Sequence, residues 1–299
     1  MSQTTVLPAI LNWSSSSPLH HYFICDVFSA EPFQGNQLAV FTDGRPLAAA
    51  EMQALAVELH LAETVFLFPP DQDGDVKIRI FRGRTELPFA GHPVLGTAFI
   101  VGYALDVDRV KLETASGIVV VDLERADGQI RFGRMEQPIP ERRQFRDQVH
   151  LLLALGVTSS RLPIESYSNG PTHVYVGFET EEEVRRLTPN LAALRDLEVG
   201  VVCFAGRRSS WKMRMFRTGV DSFEDAATGS AAGPLAVHLI RHGEIASGEE
   251  IDVYQGAEIG RPSQLTVSAS VAGDRIESVS VGGAAVLVAE GHFRGRDRD

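Results

Sequence analysis

Apolar and polar positions alternate in short runs along most of this chain, and period-two alternation is the signature of half-buried strands. Runs at 20–28, 38–41, 65–68, 76–81, 110–114, 117–123 and 129–134 predict the strands of a first half. Runs at 164–167, 173–178, 199–204, 211–216, 251–255, 265–269, 276–281 and 284–290 predict those of a second. Helical spacing is rarer. Met52, Leu55, Ala56 and Leu59 mark a stripe over 47–60, and further helices are expected over 143–155, 180–187, 190–197 and 230–242. Proline and mixed charge make 135–142 the linker, while 1–19 is an arm and 294–299 a tail. Many strands, with each long helix in the middle of its half, predict an α+β fold of curved sheets around a central helix.

The stretch that organises the chain is Glu86-Leu-Pro-Phe-Ala-Gly-His-Pro93 with the small apolar run after it. A strand ends, the corner Gly91-His92-Pro93 follows, and a buried helix begins. Proline suits a first helical turn because its missing N–H has no partner there. The remaining amides at the helix start point outward and form an anion site from backbone alone. The arrangement recurs: Lys212–Arg217 repeats Lys77–Arg82 at an offset of 135, and Gly229-Ser230 then opens a second small-residue helix. Gly35 and Gly170 are also 135 apart. Two related halves presenting helix starts to a common cleft are therefore expected.

Composition narrows the function. The chain has 299 residues, 44% hydrophobic and 22% charged, with a formal net charge of -11. Such an acidic chain is not expected to bind nucleic acid or anionic membranes nonspecifically. The first twenty residues lack the basic, apolar and small-residue zones of a leader, and no run is long enough to span a bilayer, so a cytoplasmic protein is expected. Cys25 and Cys203 fall in apolar strands and read as buried thiols. No His, Cys or carboxylate spacing resembles a metal site, the Gly91–Gly96 spacing lacks the lysine of a phosphate loop, and no dinucleotide fingerprint occurs. A cofactor-free, metal-free enzyme is the economical expectation.

Four polar side chains stand beside these corners. Glu63 lies where a helix meets a strand, and a carboxylate held against an apolar strand gains the proton affinity a general base needs. His92 could exchange a hydrogen bond with a substrate, and Asp225 could orient a substrate amine. Main-chain amides from Gly91 and from Gly229 onward could hold a carboxylate, with Ser230 beside them. Each has a plainer reading: Glu63 as a solvated strand end, and His92, Asp225 and Ser230 as helix caps. His173 faces either cleft or core. His20, His21 and His60 are isolated.

Taken together, Glu31-Pro-Phe-Gln-Gly-Asn-Gln-Leu-Ala-Val40, Leu61-Ala-Glu-Thr-Val-Phe66, Glu86 to Pro93 and Glu224-Asp-Ala-Ala-Thr-Gly-Ser-Ala-Ala-Gly-Pro-Leu235 resemble the PhzF family of phenazine biosynthesis proteins. The four motifs run in order over nearly the whole chain. The resemblance implies a diaminopimelate epimerase-like fold. That means two pseudo-symmetric domains, here 20–135 and 143–290, each a curved, barrel-like, mainly antiparallel sheet around a central helix. The late strands could return to the first domain.

The same resemblance implies a homodimeric isomerase of trans-2,3-dihydro-3-hydroxyanthranilate, or of another small carboxylate-bearing metabolite, without metal or cofactor. Glu63 matches the family's acid/base, taking a proton from C3 and returning it at C1. His92 and Asp225 match its positioning groups, and Gly91, Gly229 and Ser230 its substrate contacts. The epimerases place cysteines near the two glycine corners; neither Cys25 nor Cys203 lies there, which weighs against thiol racemisation. Ala226, Asn36-Gln37 and Arg82-Gly83 depart from the family's usual prolines and bear on the substrate more than on the fold. An epimerase of another small acid, or a binding homologue without catalysis, are the alternatives.

Overall fold

The computed structural model describes residues 19–219 and 223–294, so all but the last residue of the arm and all but the first residue of the tail lie outside the described residues. The elements of the first half are β1 (Leu19–Val27), β2 (Asn36–Phe41), α1 (Ala49–Leu59), β3 (Glu63–Phe68), β4 (Val76–Arg82), β5 (Thr85–Leu87), α2 (Gly91–Leu105), β6 (Arg109–Thr114), β7 (Gly117–Ala126) and β8 (Gln129–Glu136). Then come β9 (Glu141–Gln144), α3 (Gln148–Leu155), β10 (Glu165–Ser168), β11 (Thr172–Gly177), α4 (Glu181–Arg186), α5 (Leu191–Leu194), β12 (Gly200–Arg207), β13 (Ser210–Phe216) and β14 (Glu224–Asp225). The chain finishes with α6 (Gly229–Arg241), β15 (Glu250–Gln255), β16 (Ser263–Ala272), β17 (Arg275–Gly283) and β18 (Ala285–Arg294). No helix among the described residues is long and apolar enough to cross a membrane.

Two compact units result. One holds the described residues up to 135 and from 282 on, and the other holds 136–281. The expected second domain ran from 143 to 290, with a return of the late strands to the first domain left open. In the structure β18 belongs to the first unit, because its whole length pairs antiparallel with β1, from Leu19 opposite Arg294 to Val27 opposite Ala285.

Each unit repeats the same pairing scheme. In the first, β1–β2, β3–β4, β4–β5 and β6–β7 are antiparallel, while β2–β3 and β4–β6 are parallel. In the second, β10–β11, β12–β13, β13–β14 and β15–β16 are antiparallel, while β11–β12 and β13–β15 are parallel. Thus α2 and α6 occupy the same slot, each following the two- or three-residue strand that closes a hairpin. The fold is α+β, with mixed sheets and a central helix in each unit.

Burial explains why these helices are central. From Gly91 to Gly102 every residue of α2 is buried, and from Gly229 to Leu239 every residue of α6 is buried. A helix apolar nearly all round must be enclosed, and small residues allow the strands to approach. An added Cβ at Gly96 would sit 2.6 Å from Val27 Cγ2 and 2.8 Å from Leu38 Cδ2. On the other side of the first unit's sheet, α1 packs Met52 and Ala56 with Phe41, Phe66 and Phe81. Phe41 and Phe66 stack at 4.7 Å. In the second unit Leu151, Val174, Val184, Leu194, Val201 and Phe216 share one core.

Two expectations are corrected. The helix predicted over 143–155 begins only at Gln148, after Asp147. Residues 141–144, expected to be the linker's end and the first helical residues, form β9 instead, paired with β10. The Arg142–Glu165 ion pair across that ladder holds the segment extended. Glu224 and Asp225 form the two-residue β14 against Met215 and Phe216.

Gly96→Val should therefore destabilise the protein by about 2 kcal/mol, because the branched side chain must displace packed neighbours. The check is a lower urea midpoint at unchanged slope; an unchanged midpoint would show that α2 has slack at this crossing.

Candidate active site

Glu63 opens β3, and its parallel pairing with β2 sets it opposite Leu38. His92 is the second residue of α2. The two side chains meet: Glu63 Oε2 lies 3.1 Å from His92 Nε2, at 2% and 4% exposure. The distance suits proton exchange, although the angle is poor for a settled hydrogen bond. Asn36, the first residue of β2, donates from Nδ2 to His92 Nδ1 at 3.4 Å. A neutral imidazole that accepts at Nδ1 carries its hydrogen on Nε2, facing the carboxylate. Ala90 is the N-cap of α2 and has no side chain able to close the helix start. The first amides thus keep their anion-binding character.

In the second unit the N-cap of α6 is Thr228, and its hydroxyl does not bond back to the helix. It donates instead to Asp225 Oδ2 at 2.6 Å. Arg217 Nη2 lies 3.2 Å from the same oxygen. Buried Gln255 braces the corner, accepting from Thr228 N at 2.9 Å and donating to the Asp225 carbonyl at 2.8 Å. Gln137 donates to the Gly229 carbonyl at 3.0 Å, and Asn169 donates to Gln137 at 3.2 Å. Ser230 is the helix's second residue, with its hydroxyl 3.2 Å from His173 Nε2. Neither Asp225 nor Ser230 is the N-cap. Burial, with the positive Arg217 nearby, pushes the His173 imidazole down to about 4, against the opposing pull of Asp225.

Residues 25–291 match the family model of the phenazine biosynthesis-like proteins (PhzC-PhzF). The chain is a member of the PhzF family. Among curated relatives, trans-2,3-dihydro-3-hydroxyanthranilate isomerase of Pseudomonas aeruginosa is 48% identical over 274 residues, covering 91% of this chain and 99% of that one. Among solved structures, a predicted epimerase of Pseudomonas aeruginosa is 33% identical at a TM-score of 0.78, covering 92% of this chain and 99% of that one. A PhzF-family protein of Bacillus anthracis, 22% identical, shares the fold at a TM-score of 0.81 with the same coverage.

The PhzF chain thus pairs Glu63 with His92 in one unit and gathers Asp225, Gly229 and Ser230 at one corner of the other. Asn36, His173, Arg217 and Gln255 also belong to these constellations. Asn36 and Arg217 stand inside motifs that the sequence singles out, whereas nothing in the sequence marks Gln255, which reaches the corner only through the β15 pairing. Cys25 and Cys203 are buried, and burial pushes both thiols up, away from the reactive thiolate.

One further cluster has metal-ligand character. Ligand atoms of Glu165, His238 and His242 lie within 4.8 Å of one another. Their sequence positions conceal this, since Glu165 sits on β10 and the histidines on or just past α6. Tyr167 donates to Glu165 Oε2 at 2.9 Å, His238 Nδ1 and His242 Nε2 lie 3.3 and 3.2 Å from it, and Arg142 donates to Oε1 at 2.5 Å. The guanidinium already supplies the cation and the donors already fill the carboxylate, so the cluster is a buried ion network.

Burial alone would raise the Glu165 carboxyl, but these donors outweigh it and hold it well below the usual carboxylate range. Burial holds His238 below the usual imidazole value. Both groups act in one direction. The unfolded chain takes up these protons first, so the Glu165 contribution is present above its unfolded value and lost as pH falls below it. Glu165→Gln should cost about 1–3 kcal/mol at pH 7 and lessen the fall in urea stability between pH 7 and pH 4. An equal fall in both proteins would remove Glu165 from the acid response.

Proposed function

We propose that this protein is a trans-2,3-dihydro-3-hydroxyanthranilate isomerase that works by proton transfer through a single base, without metal or cofactor. The observation that carries the reading is the buried Glu63–His92 pair at an uncapped helix start, in a chain nearly half identical to a curated isomerase of that name. Glu63 takes the proton from C3, the ring double bond shifts, and the proton returns at C1. The resulting enol then relaxes to the ketone. A carboxylate that reaches both carbons on one ring face can do both steps. Shielded from bulk water, it exchanges the carried proton slowly.

His92 holds and polarises the substrate, and Asp225 orients its amine. The Gly229 and Ser230 amides, with the Ser230 hydroxyl, bind its carboxylate in the way helix starts bind anions; Gly91 offers the equivalent amide beside His92. The working form is a homodimer, which sedimentation of the purified protein would establish or refute.

Proton NMR with trans-2,3-dihydro-3-hydroxyanthranilate in deuterated water tests the mechanism. Wild type should turn the substrate over, and Glu63→Gln should lose roughly 10²- to 10⁴-fold in kcat, the usual contribution of a positioned acid/base. Dialysis against a chelator should leave turnover unchanged. Equal turnover by both proteins would discard Glu63 as the base. If wild type fails on this ring but exchanges the α-proton of another small acid, the protein is an epimerase instead.

A further inference from the structure

The two units use the same slot differently. At an offset of 138, Ser230 is the counterpart of His92 at its helix start, and at 135, His173 is the counterpart of Leu38. Parallel pairing sets Leu38 opposite Glu63 in the first unit and His173 opposite Gly200 in the second. Gly200 therefore stands where the first unit has its carboxylate. The imidazole of the neighbouring strand fills the room: a Cβ on Gly200 would lie 2.3 Å from His173 Nδ1. In the first unit a carboxylate addresses the helix start, and in the second an imidazole does.

The environment of His173 selects one tautomer. Its Nδ1 is buried without a hydrogen-bond partner among the described residues, and its Nε2 lies 3.2 Å from Ser230 Oγ. If Nδ1 carried the hydrogen, a buried N–H would be orphaned, which folded proteins avoid more strictly than a bare acceptor. With the hydrogen on Nε2, the ring donates and only a lone pair goes unmet. Its lowered proton affinity keeps the ring neutral, so the second nitrogen stays bare. Ser230 then accepts from His173 and retains its own hydrogen for another acceptor.

We propose that His173 is a positioning residue for substrate binding: its Nε2–H donates to Ser230 Oγ and turns the Ser230 hydroxyl hydrogen toward a substrate carboxylate at the start of α6. The proposal rests on the reading above that Ser230 and the Gly229 amide take the carboxylate. It gives the residue that sequence alone left between cleft and core a specific task, and it explains why the facing position is glycine.

The direct test is ¹⁵N NMR of imidazole-labelled protein. The proposal expects the Nε2–H tautomer of His173 in wild type, persisting to about pH 5, and the Nδ1–H tautomer would overturn it. Kinetics with trans-2,3-dihydro-3-hydroxyanthranilate supply the functional arm. His173→Phe fills the ring's space without a donor and should raise KM about tenfold, the worth of one hydrogen bond to a charged-ligand site, with a smaller change in kcat. His173→Gln restores an N–H donor and should recover part of that loss. Gly200→Ala keeps the imidazole but displaces it, and should raise KM in the same way. Thermal melting of each variant separates misfolding from mispositioning.

A double variant, His173→Phe with Ser230→Ala, should be no worse in KM than Ser230→Ala alone; additive losses would overturn the coupling. If Ser230→Ala itself leaves KM unchanged, the carboxylate assignment of Ser230 fails, and the proposal fails with it. If Ser230→Ala raises KM while His173→Phe does not, only the role of His173 fails.

Discussion

Two helices enclosed almost completely, with starts that no capping side chain closes, are the constraint on which the rest depends. A buried helix start carries backbone amides that need an acceptor, and its dipole favours a negative one. Ala90 cannot supply it, and Thr228 gives its hydroxyl to Asp225 instead. The small residues that permit full enclosure also let strands approach the helices closely, Gly96 against Val27 and Leu38 and Gly233 against Val279 and Val281. Packing and binding therefore come from the same sequence feature. The helix must be small and apolar to be central, and its bare start is what remains for a ligand.

The duplicated pairing scheme makes the difference between the units readable as chemistry. At the start of α2 the facing strand position holds Glu63, so a carboxylate meets an imidazole. At the start of α6 the same position holds Gly200, and an imidazole from the adjacent strand meets a hydroxyl. The Asp225 carboxylate at this corner is engaged by Thr228 and Arg217. The imidazole of His173, kept neutral by burial and by the charge of Arg217, can still donate.

Much of this was legible beforehand because it rests on local pattern. The alternating runs predict nearly every strand, and the offset of 135 between Lys77–Arg82 and Lys212–Arg217 foretells the repeated scheme. The corner Gly91-His92-Pro93 marks a helix start by proline chemistry alone. The misread segments are those whose local signal is weak. Residues 141–144 have no apolar alternation, and what makes them a strand is Glu165, which binds Arg142 across the ladder. The two-residue β14 is too short to leave a pattern and exists because β13 offers a free edge.

By itself the sequence determined the class of fold, the two helix starts, the absence of thiols at them and the family. All of these depend on residue types at short spacing. Tertiary structure alone decided which side chains meet: Glu63 with His92, Thr228 with Asp225, His173 with Ser230, and Glu165 with His238 and His242. Such pairs join residues on different elements, and their contact depends on strand register and helix packing. A one-residue slip of β3 against β2 would turn Glu63 to the opposite face of the sheet and leave every local motif unchanged.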